Sequence, residues 1–352
     1  MKKAVVLFGG ASSEHEVSCV SAKFIAEHIP ADAYEVVLVG ISKAGEWFLY
    51  DGDTANMPED KWLLDTAHCK KAVLSPDAKD HGLLIFEGDT VKKLYVDVVF
   101  PVLHGKYGED GTMQGLFALA GIPFVGCDTL SSAMSMDKAV TNLVMDFAGV
   151  EQAKWLAVTK QAYLAAPEAF LNEAAEILGF PLFIKPANAG SSVGVSKAEN
   201  AQELEAAMTL ALKEDDKVVA EEAICGLEIE CAVLGNDTVY TSDVGAIVPK
   251  KAFYDYEAKY LDDSSELQIP AKISAEKQLE VQNIAKKVYK ALGCRGLSRA
   301  DFFLENGTNR VLFNEINTLP GFTAISMYPK LMTRTMSAEA LLSKLLELAQ
   351  EE

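Results

Sequence analysis

The stretch Leu297-Ser-Arg299-Ala-Asp301-Phe-Phe-Leu-Glu305, Asn306-Gly-Thr-Asn309, Arg310-Val-Leu-Phe-Asn314-Glu315-Ile-Asn317-Thr-Leu-Pro-Gly321-Phe-Thr-Ala-Ile-Ser326 decides how this chain is read. Two apolar runs of strand length flank an Asn-Gly turn, the pattern of a β-hairpin. Side chains alternate along a strand, so Glu315 and Asn317 share a face. The antiparallel return brings Asp301 opposite or diagonal to Glu315. Two carboxylates ~4 Å apart repel by roughly 4 kcal/mol at an effective dielectric of 20. A divalent cation would remove that cost, and Asp, Glu and Asn offer the hard oxygen donors that suit Mg²⁺. The alternative is a pair of solvated surface acids. Arg299 stands on the same strand face as Asp301, and Pro320-Gly321 follows, where a glycine lets backbone N–H groups approach a ligand. Metal, arginine and bare backbone together point to phosphate and carboxylate chemistry.

Working outward, 352 residues exceed one ordinary core and predict two or three domains. The composition is that of a soluble globular protein, and the net charge of −19 argues against nucleic acid or an anionic membrane as partner. No apolar run reaches the ~20 residues of a membrane span. The apolar run Ala4–Phe8 is shorter than the ~7–15 residues of a signal-peptide core and reads as a first strand. A cytoplasmic protein is expected. Six cysteines without C-x-x-C spacing read as buried free thiols, and the scattered histidines form no zinc motif.

After the first strand, Gly9-Gly10-Ala-Ser-Ser leads into a helix from Glu14 to His28, with Ser13 and Glu16 at capping-box spacing. The turn does not fit G-x-G-x-x-G, so no dinucleotide site is read there. Locally, Glu14 is explained by dipole compensation in the first helical turn. The stretch 51–93 is polar and reads as irregular and peripheral. Val96–Val102 predicts a buried parallel strand, and His104-Gly105-Lys-Tyr-Gly108-Glu-Asp-Gly111-Thr-Met-Gln-Gly115 follows at its carboxyl end, where ligands bind in doubly wound sheets. A helix over Ser132–Ala148 is expected to carry Met136-Asp137-Lys138 in its interior. At the end of a strand over Pro181–Lys185 comes Lys185-Pro-Ala-Asn-Ala189-Gly190-Ser191-Ser192-Val-Gly194. Such a glycine and hydroxyl loop can wrap phosphate with backbone N–H groups, although it is no P-loop and a flexible hairpin tip is the alternative. A strand through Glu221-Glu222 precedes another with Glu228 and Glu230 on one face. The aperiodic stretch Pro249 to Pro270, with three lysines, three tyrosines and Phe253, predicts a lid.

Taken in order, His104–Gly115, Ser135-Met-Asp-Lys138, Lys185–Gly194, Phe253-Tyr-Asp-Tyr-Glu-Ala-Lys259-Tyr260 and Arg299-x-Asp301 with Asn314–Gly321 resemble the D-alanine–D-alanine ligase family of the ATP-grasp superfamily. The resemblance covers nearly the whole chain. It implies an α/β protein, α+β in its ATP-grasp part: an N-terminal doubly wound parallel-sheet domain (1–126), a central ATP-grasp domain (127–222) and a C-terminal one (223–352) with the metal site and a lid at 249–270. It implies ATP-dependent ligation of two D-alanines through a D-alanyl phosphate, supplying peptidoglycan synthesis. The expected partners are D-alanine, ATP and two Mg²⁺ (or Mn²⁺) ions, and a homodimer is expected. Carried onto this chain, Lys138, Lys185, Ser192 and Lys259 face the nucleotide phosphates, and Glu221, Glu222, Ile224 and Glu228 line the adenine and ribose. Phe253 and Asn314 complete the ATP site. Asp301, Glu315 and Asn317 hold metal. Glu14 takes the first ammonium, bonded with Ser191 and Tyr260, which replaces the dipole reading. Arg299 and Gly321 meet the oxyanion, while His104, Ser326 and Met327 contact substrate. Ala189 and Ile325 depart from a common Glu and His. Rivals are a D-alanine–D-serine ligase, a D-lactate ligase, disfavoured because no His lies between 249 and 270, and a nucleotide-binding regulator without turnover.

Overall fold

The computed structural model describes residues 1–249 and 265–351. The stretch that holds Phe253, Lys259, Tyr260 and most of the expected lid lies outside the described residues. The helices are α1 (His15–His28), α2 (Lys61–Leu64), α3 (Thr112–Ala120), α4 (Thr129–Met136), α5 (Lys138–Ala148), α6 (Lys160–Ala165), α7 (Pro167–Ile177), α8 (Ala201–Glu214), α9 (Ala275–Ala291), α10 (Met327–Met332) and α11 (Ala338–Leu348). Among the described residues the strands form three sheets.

The first sheet runs β6 (Thr90–Tyr95), β5 (Gly82–Glu87), β4 (Cys69–Leu74), β3 (Trp47–Tyr50), β2 (Tyr34–Ile41), β1 (Lys2–Gly9), β7 (Val98–Val102). Strands β2, β1 and β7 are parallel. Alternation along β1 sends Ala4, Val6 and Phe8 into one core with Cys19, Ala22 and Ile25 of α1, and Val5 and Leu7 into another with Met113 and Phe117 of α3. Both faces are buried, which is why the segment reads as a continuous apolar run. The expectation that 51–93 is irregular is overturned. Strands β4 to β6 extend the sheet antiparallel. Strand β6 exposes most of its side chains as an edge, so its polar composition hides a strand.

The second sheet is β10 (Ser196–Ala198), β9 (Leu182–Pro186), β11 (Lys217–Glu222), β8 (Trp155–Thr159), backed by α7 and α8. The third is β14 (Ser265–Gln268), β13 (Val239–Pro249), β12 (Gly226–Gly235), β15 (Leu297–Glu305), β16 (Val311–Asn317), all antiparallel. Its Cys231, Ala300 and Phe302 pack under α9. Strand β14 gives structure to the end of a stretch read from sequence as irregular.

Two local expectations also fail. No capping box forms at α1: Glu14 is its N-cap without a side-chain cap, and Glu16 pairs with Lys43. The helix expected over 132–148 is two helices. Asp137 leaves the helix and caps α5, accepting from the N–H groups of Ala139 (3.1 Å) and Val140 (3.2 Å). Short acidic side chains compete with helical backbone in this way. Four of the six free cysteines are buried, but Cys69 is partly exposed and Cys225 is exposed. No described helix is long and apolar enough to cross a membrane.

Candidate active site

The three sheets converge on a cleft of about 310 Å³. Its second-sheet wall carries Lys185 at the end of β9 and Glu221 and Glu222 at the end of β11, and its third-sheet wall carries Glu228, Asn314, Glu315 and Asn317. Ile224, Ser191, Ser192 and Lys138 also line it.

The hairpin supplies the densest charge. Asp301 is directly opposite Glu315, and Arg299 is opposite Asn317. The register shifts after Asp301, where Phe302 pairs with Phe313, so Asn314 is the extra residue of a bulge. A bulge breaks the period of two and re-aims side chains. Consecutive Asn314 and Glu315 therefore both reach the cleft. Asp301 is 1% exposed. Arg299 clasps it with Nε to Oδ1 and Nη2 to Oδ2, both 2.7 Å, and lies 3.0 Å from Glu230. Burial works against the guanidinium charge, but Asp301 and Glu230 outweigh it and hold Arg299 protonated. Asn317 Nδ2 donates to Asp301 Oδ2 at 3.0 Å. Asp301, Glu315 and Asn317 thus present only oxygen and amide donors around a carboxylate pair, Asp301 buried and Glu315 partly exposed to the cleft, a donor set that fits a hard divalent cation.

The break at Asp137 has a direct consequence. It sets Lys138 at the start of α5, where its Nζ donates to Ala189 O at 2.7 Å. Lys185 Nζ donates to Glu221 Oε2 at 2.6 Å and lies 3.5 Å from Asn314 Oδ1. Both lysines therefore meet the loop and cleft where phosphate charge would sit. Ser191 (φ 50°) and Ser192 (φ 59°) are consecutive left-handed residues. That conformation costs of order 1 kcal/mol or more for each and turns successive N–H groups to one side, an anion-binding shape.

At the other end, Glu14 is 6% exposed and accepts from Ser191 Oγ at 2.5 Å, across 177 residues. A Cβ on Gly105 would stand 2.5 Å from Glu14 Oε2, and Gly105 has φ +70°. Only glycine lets the His104 loop close over that carboxylate. Ser12 pins the approach, accepting from Glu14 N–H (3.2 Å) and donating to His104 O (2.9 Å). Nearby, His15 bonds Gly10 O (2.7 Å) and Asp60 (2.6 Å), with Cys19 beside them. Lys43 holds the second Asp60 oxygen at 3.3 Å, so this cluster is an ion-paired anchor for the glycine turn.

The turn after β16 is held from the first sheet. His104 Nδ1 lies 3.0 Å from Leu319 O, and Phe322 N–H donates to Ser21 Oγ at 3.1 Å. His104 Nε2 is buried with no hydrogen-bond partner among the described residues, and burial lowers its pKa against the pull of Glu14. Gly321 has no room for a side chain: a Cβ would stand 2.9 Å from Ser326 Oγ. Met327 is 4% exposed in the core, its Sδ against Gly245. Ile325 is an exposed corner of the turn.

Sequence reasoning singled out the His104 loop but not Glu109 within it. Glu109 accepts from Gly105 N–H at 2.8 Å and lines the cleft. Burial, then the Glu14 charge, push its pKa from 4.5 up to about 8. The folded state thus holds this proton more tightly than the unfolded chain. The resulting stability is present below about pH 4.5 and lost as pH rises to about 8. Glu109→Gln is expected to remove a slope of at most about 1.4 kcal/mol per pH unit from the unfolding free energy over that window. Urea melts of the ligand-free protein from pH 5 to 8 check it, and an unchanged slope refutes it.

The fold that carries this site is matched by known proteins. Two solved structures align over 99% of the chain. They are the VanG D-Ala:D-Ser ligase of Enterococcus faecalis (TM-score 0.91, 42% identity, 99% of that chain) and the D-alanine-D-alanine ligase of Coxiella burnetii (0.85, 31%, 95%). The fold is therefore that of the ATP-grasp ligases. The family models described as D-ala D-ala ligase N-terminus and C-terminus match residues 3–127 and 144–347. The D-alanine–D-alanine ligase of Caldicellulosiruptor bescii is 47% identical over 350 residues, 99% of this chain and 95% of the relative. That of Clostridium acetobutylicum is 45% identical over 349 residues, 99% and 98%. The chain belongs to the D-alanine–D-alanine ligase family.

Proposed function

We propose that this chain joins two D-alanines to D-alanyl-D-alanine, with ATP converted to ADP and phosphate, for peptidoglycan precursor synthesis. The observation that carries the reading is that Lys138, Lys185, Ser191 and Glu315 line one cleft, with Glu14 bonded to Ser191 and Asp301 paired across the ladder with Glu315. A carboxylate is a poor acyl donor, so its oxygen first takes the γ-phosphoryl of ATP. The neutral amine of the second D-alanine then attacks the acyl carbon, loses a proton, and phosphate leaves.

Glu14 holds the first ammonium beside the neutral His104. Lys138, Lys185 and the Ser191–Ser192 backbone cradle phosphate, and family resemblance adds Lys259 there, Tyr260 to the Glu14–Ser191 set and Phe253 to the ATP site. Glu221, Glu222, Ile224, Glu228 and Asn314 line the nucleotide. Asp301, Glu315 and Asn317 would hold two Mg²⁺ or Mn²⁺ ions, which when bound neutralise the transferring charge. Arg299 and the Gly321 N–H face the tetrahedral oxyanion, and Ser326, at the start of α10 before Met327, takes the second carboxylate. A homodimer in the cytoplasm belongs to the same reading. The free thiols support a reducing compartment.

The 42% identity to a D-Ala:D-Ser ligase favours one second reading, D-serine as acceptor. Against it, Met327 is apolar and core-packed, and a serine hydroxyl buried without a partner costs ~1–3 kcal/mol. Product chromatography from equimolar D-alanine, D-serine and D-lactate, with ADP release, tests both. D-alanyl-D-alanine is expected to dominate. Dominant D-alanyl-D-serine overturns the acceptor assignment, and ligand binding without ADP release overturns catalysis.

A further inference from the structure

Three carboxylates form one row across the third sheet. Glu230 of β12 is directly opposite Asp301 of β15, which is directly opposite Glu315 of β16. Directly opposed residues share a face, with Cβ atoms about 4.5–5.5 Å apart. The next row on that face is Ala232, Arg299 and Asn317. Glu230 is 3% exposed, nearly as buried as Asp301. The metal and oxyanion readings use Asp301, Glu315 and Arg299 and leave this third acid without a role.

Arg299 divides its contacts unequally between its two buried partners. Its Nε donates to Asp301 Oδ1 and its Nη2 to Asp301 Oδ2, both at 2.7 Å. Asn317 Nδ2 donates to the same Oδ2 at 3.0 Å. Both oxygens of Asp301 are thus held by N–H donors, and a cation that takes either must compete with the guanidinium. Glu230 Oε2 lies 3.0 Å from the same Nε. That nitrogen carries a single proton, so whatever hold Glu230 gains on it Asp301 gives up. Loss of the Glu230 charge has two consequences. Arg299 settles more firmly on Asp301, and one negative charge leaves the row. Both act against a cation at Asp301 and Glu315, so the sign of the effect is fixed.

We propose that Glu230 is a positioning residue acting through Arg299: by sharing the guanidinium it loosens the hold on Asp301, and so sets the affinity of the hairpin for a divalent cation. This rests on the reading that Asp301 and Glu315 hold the metal.

The test uses the full-length protein with a saturating non-hydrolysable ATP analogue. Mn²⁺ is titrated in and followed by water-proton relaxation, which is enhanced when the ion tumbles with the protein. Glu230→Gln keeps the shape and can still accept from Arg299, but removes the charge. It is expected to raise the Mn²⁺ dissociation constant roughly 10–100-fold, the usual effect of losing a partner behind a metal ligand. The Mg²⁺ concentration for half-maximal ADP release should rise in step, while kcat at saturating Mg²⁺ stays within about threefold. Glu230→Asp keeps the charge and should hold the dissociation constant within about threefold. A merely structural Glu230 would lower the melting temperature and leave Mn²⁺ affinity alone. That result overturns the proposal, as does an equal loss of affinity in the aspartate and glutamine variants. Glu315→Gln separates the two readings. Unchanged Mn²⁺ binding there overturns the metal site itself, whereas a loss there with none in Glu230→Gln overturns only the role of Glu230. If the glutamine variant does not fold, Arg299→Lys decides. It keeps the charge and loses the two-pronged clasp on Asp301, so Mn²⁺ should bind more tightly, and equal or weaker binding overturns the proposal.

Discussion

Glu315→Gln is expected to lower kcat/KM by roughly 10²–10³-fold, the usual loss when one preorganised electrostatic contact to a transferring charge is removed. Glu315 is preferable to Asp301 for this experiment, for a reason visible in the hairpin. Asp301 is clasped by Arg299 through two 2.7 Å bonds in a buried setting. Removing its charge breaks a buried ion pair, which costs about 3–5 kcal/mol, so lost activity would be confounded with unfolding. Glu315 lies directly across from Asp301 on the cleft side. Its neutralisation relieves repulsion between two carboxylates, and the melting temperature should hold or rise. The check is steady-state ADP release over a Mg²⁺ titration, together with thermal melts. Turnover near that of the unaltered enzyme would remove Glu315 from the metal site.

Glu14→Gln should cost a similar factor at the other end of the cleft. The glutamine carbonyl can still accept from Ser191, so the junction between the Gly9–Gly10 turn and the Lys185–Gly194 loop survives. What is lost is the full charge facing the first ammonium in a site that is 6% exposed. A buried charge pair broken on one side costs about 3–5 kcal/mol, or roughly 10²–10⁴-fold in kcat/KM for D-alanine. The KM for ATP should stay within about twofold, since the nucleotide residues Lys138, Lys185 and Glu221 are untouched. Equal losses for D-alanine and ATP would mean that Glu14 supports the loops and does not bind substrate.

Parts of this site are legible in the amino-acid sequence. The Asn306-Gly307 turn and the alternation on either side of it place Asp301 against Glu315, and the ladder pairs the two directly. The acid and glycine loop after β7 is also readable, because a parallel strand ends where ligands bind. Local rules mislead where two local preferences compete. At Asp137 helical periodicity runs on, but the side chain caps a new helix, and that break is what aims Lys138 at Ala189. In 51–93 the polar edge strand β6 hides its own signal and lends the whole stretch a polar look, although the apolar run Leu83–Phe86 of the interior β5 is a strand signal.

Sequence alone determined the buried parallel strands β1 and β7, the hairpin with its paired carboxylates, and the small-residue loops, because each is specified by neighbours in the chain. Tertiary structure alone decided three matters. They are the bulge that turns Asn314 and Glu315 into the same cleft, the seating of Glu14 beneath Gly105 and against Ser191, and the suspension of the Leu319–Phe322 turn from His104 and Ser21. These contacts join residues up to 301 positions apart. No local periodicity encodes the last two, because they exist only where the sheets and their loops pack against one another.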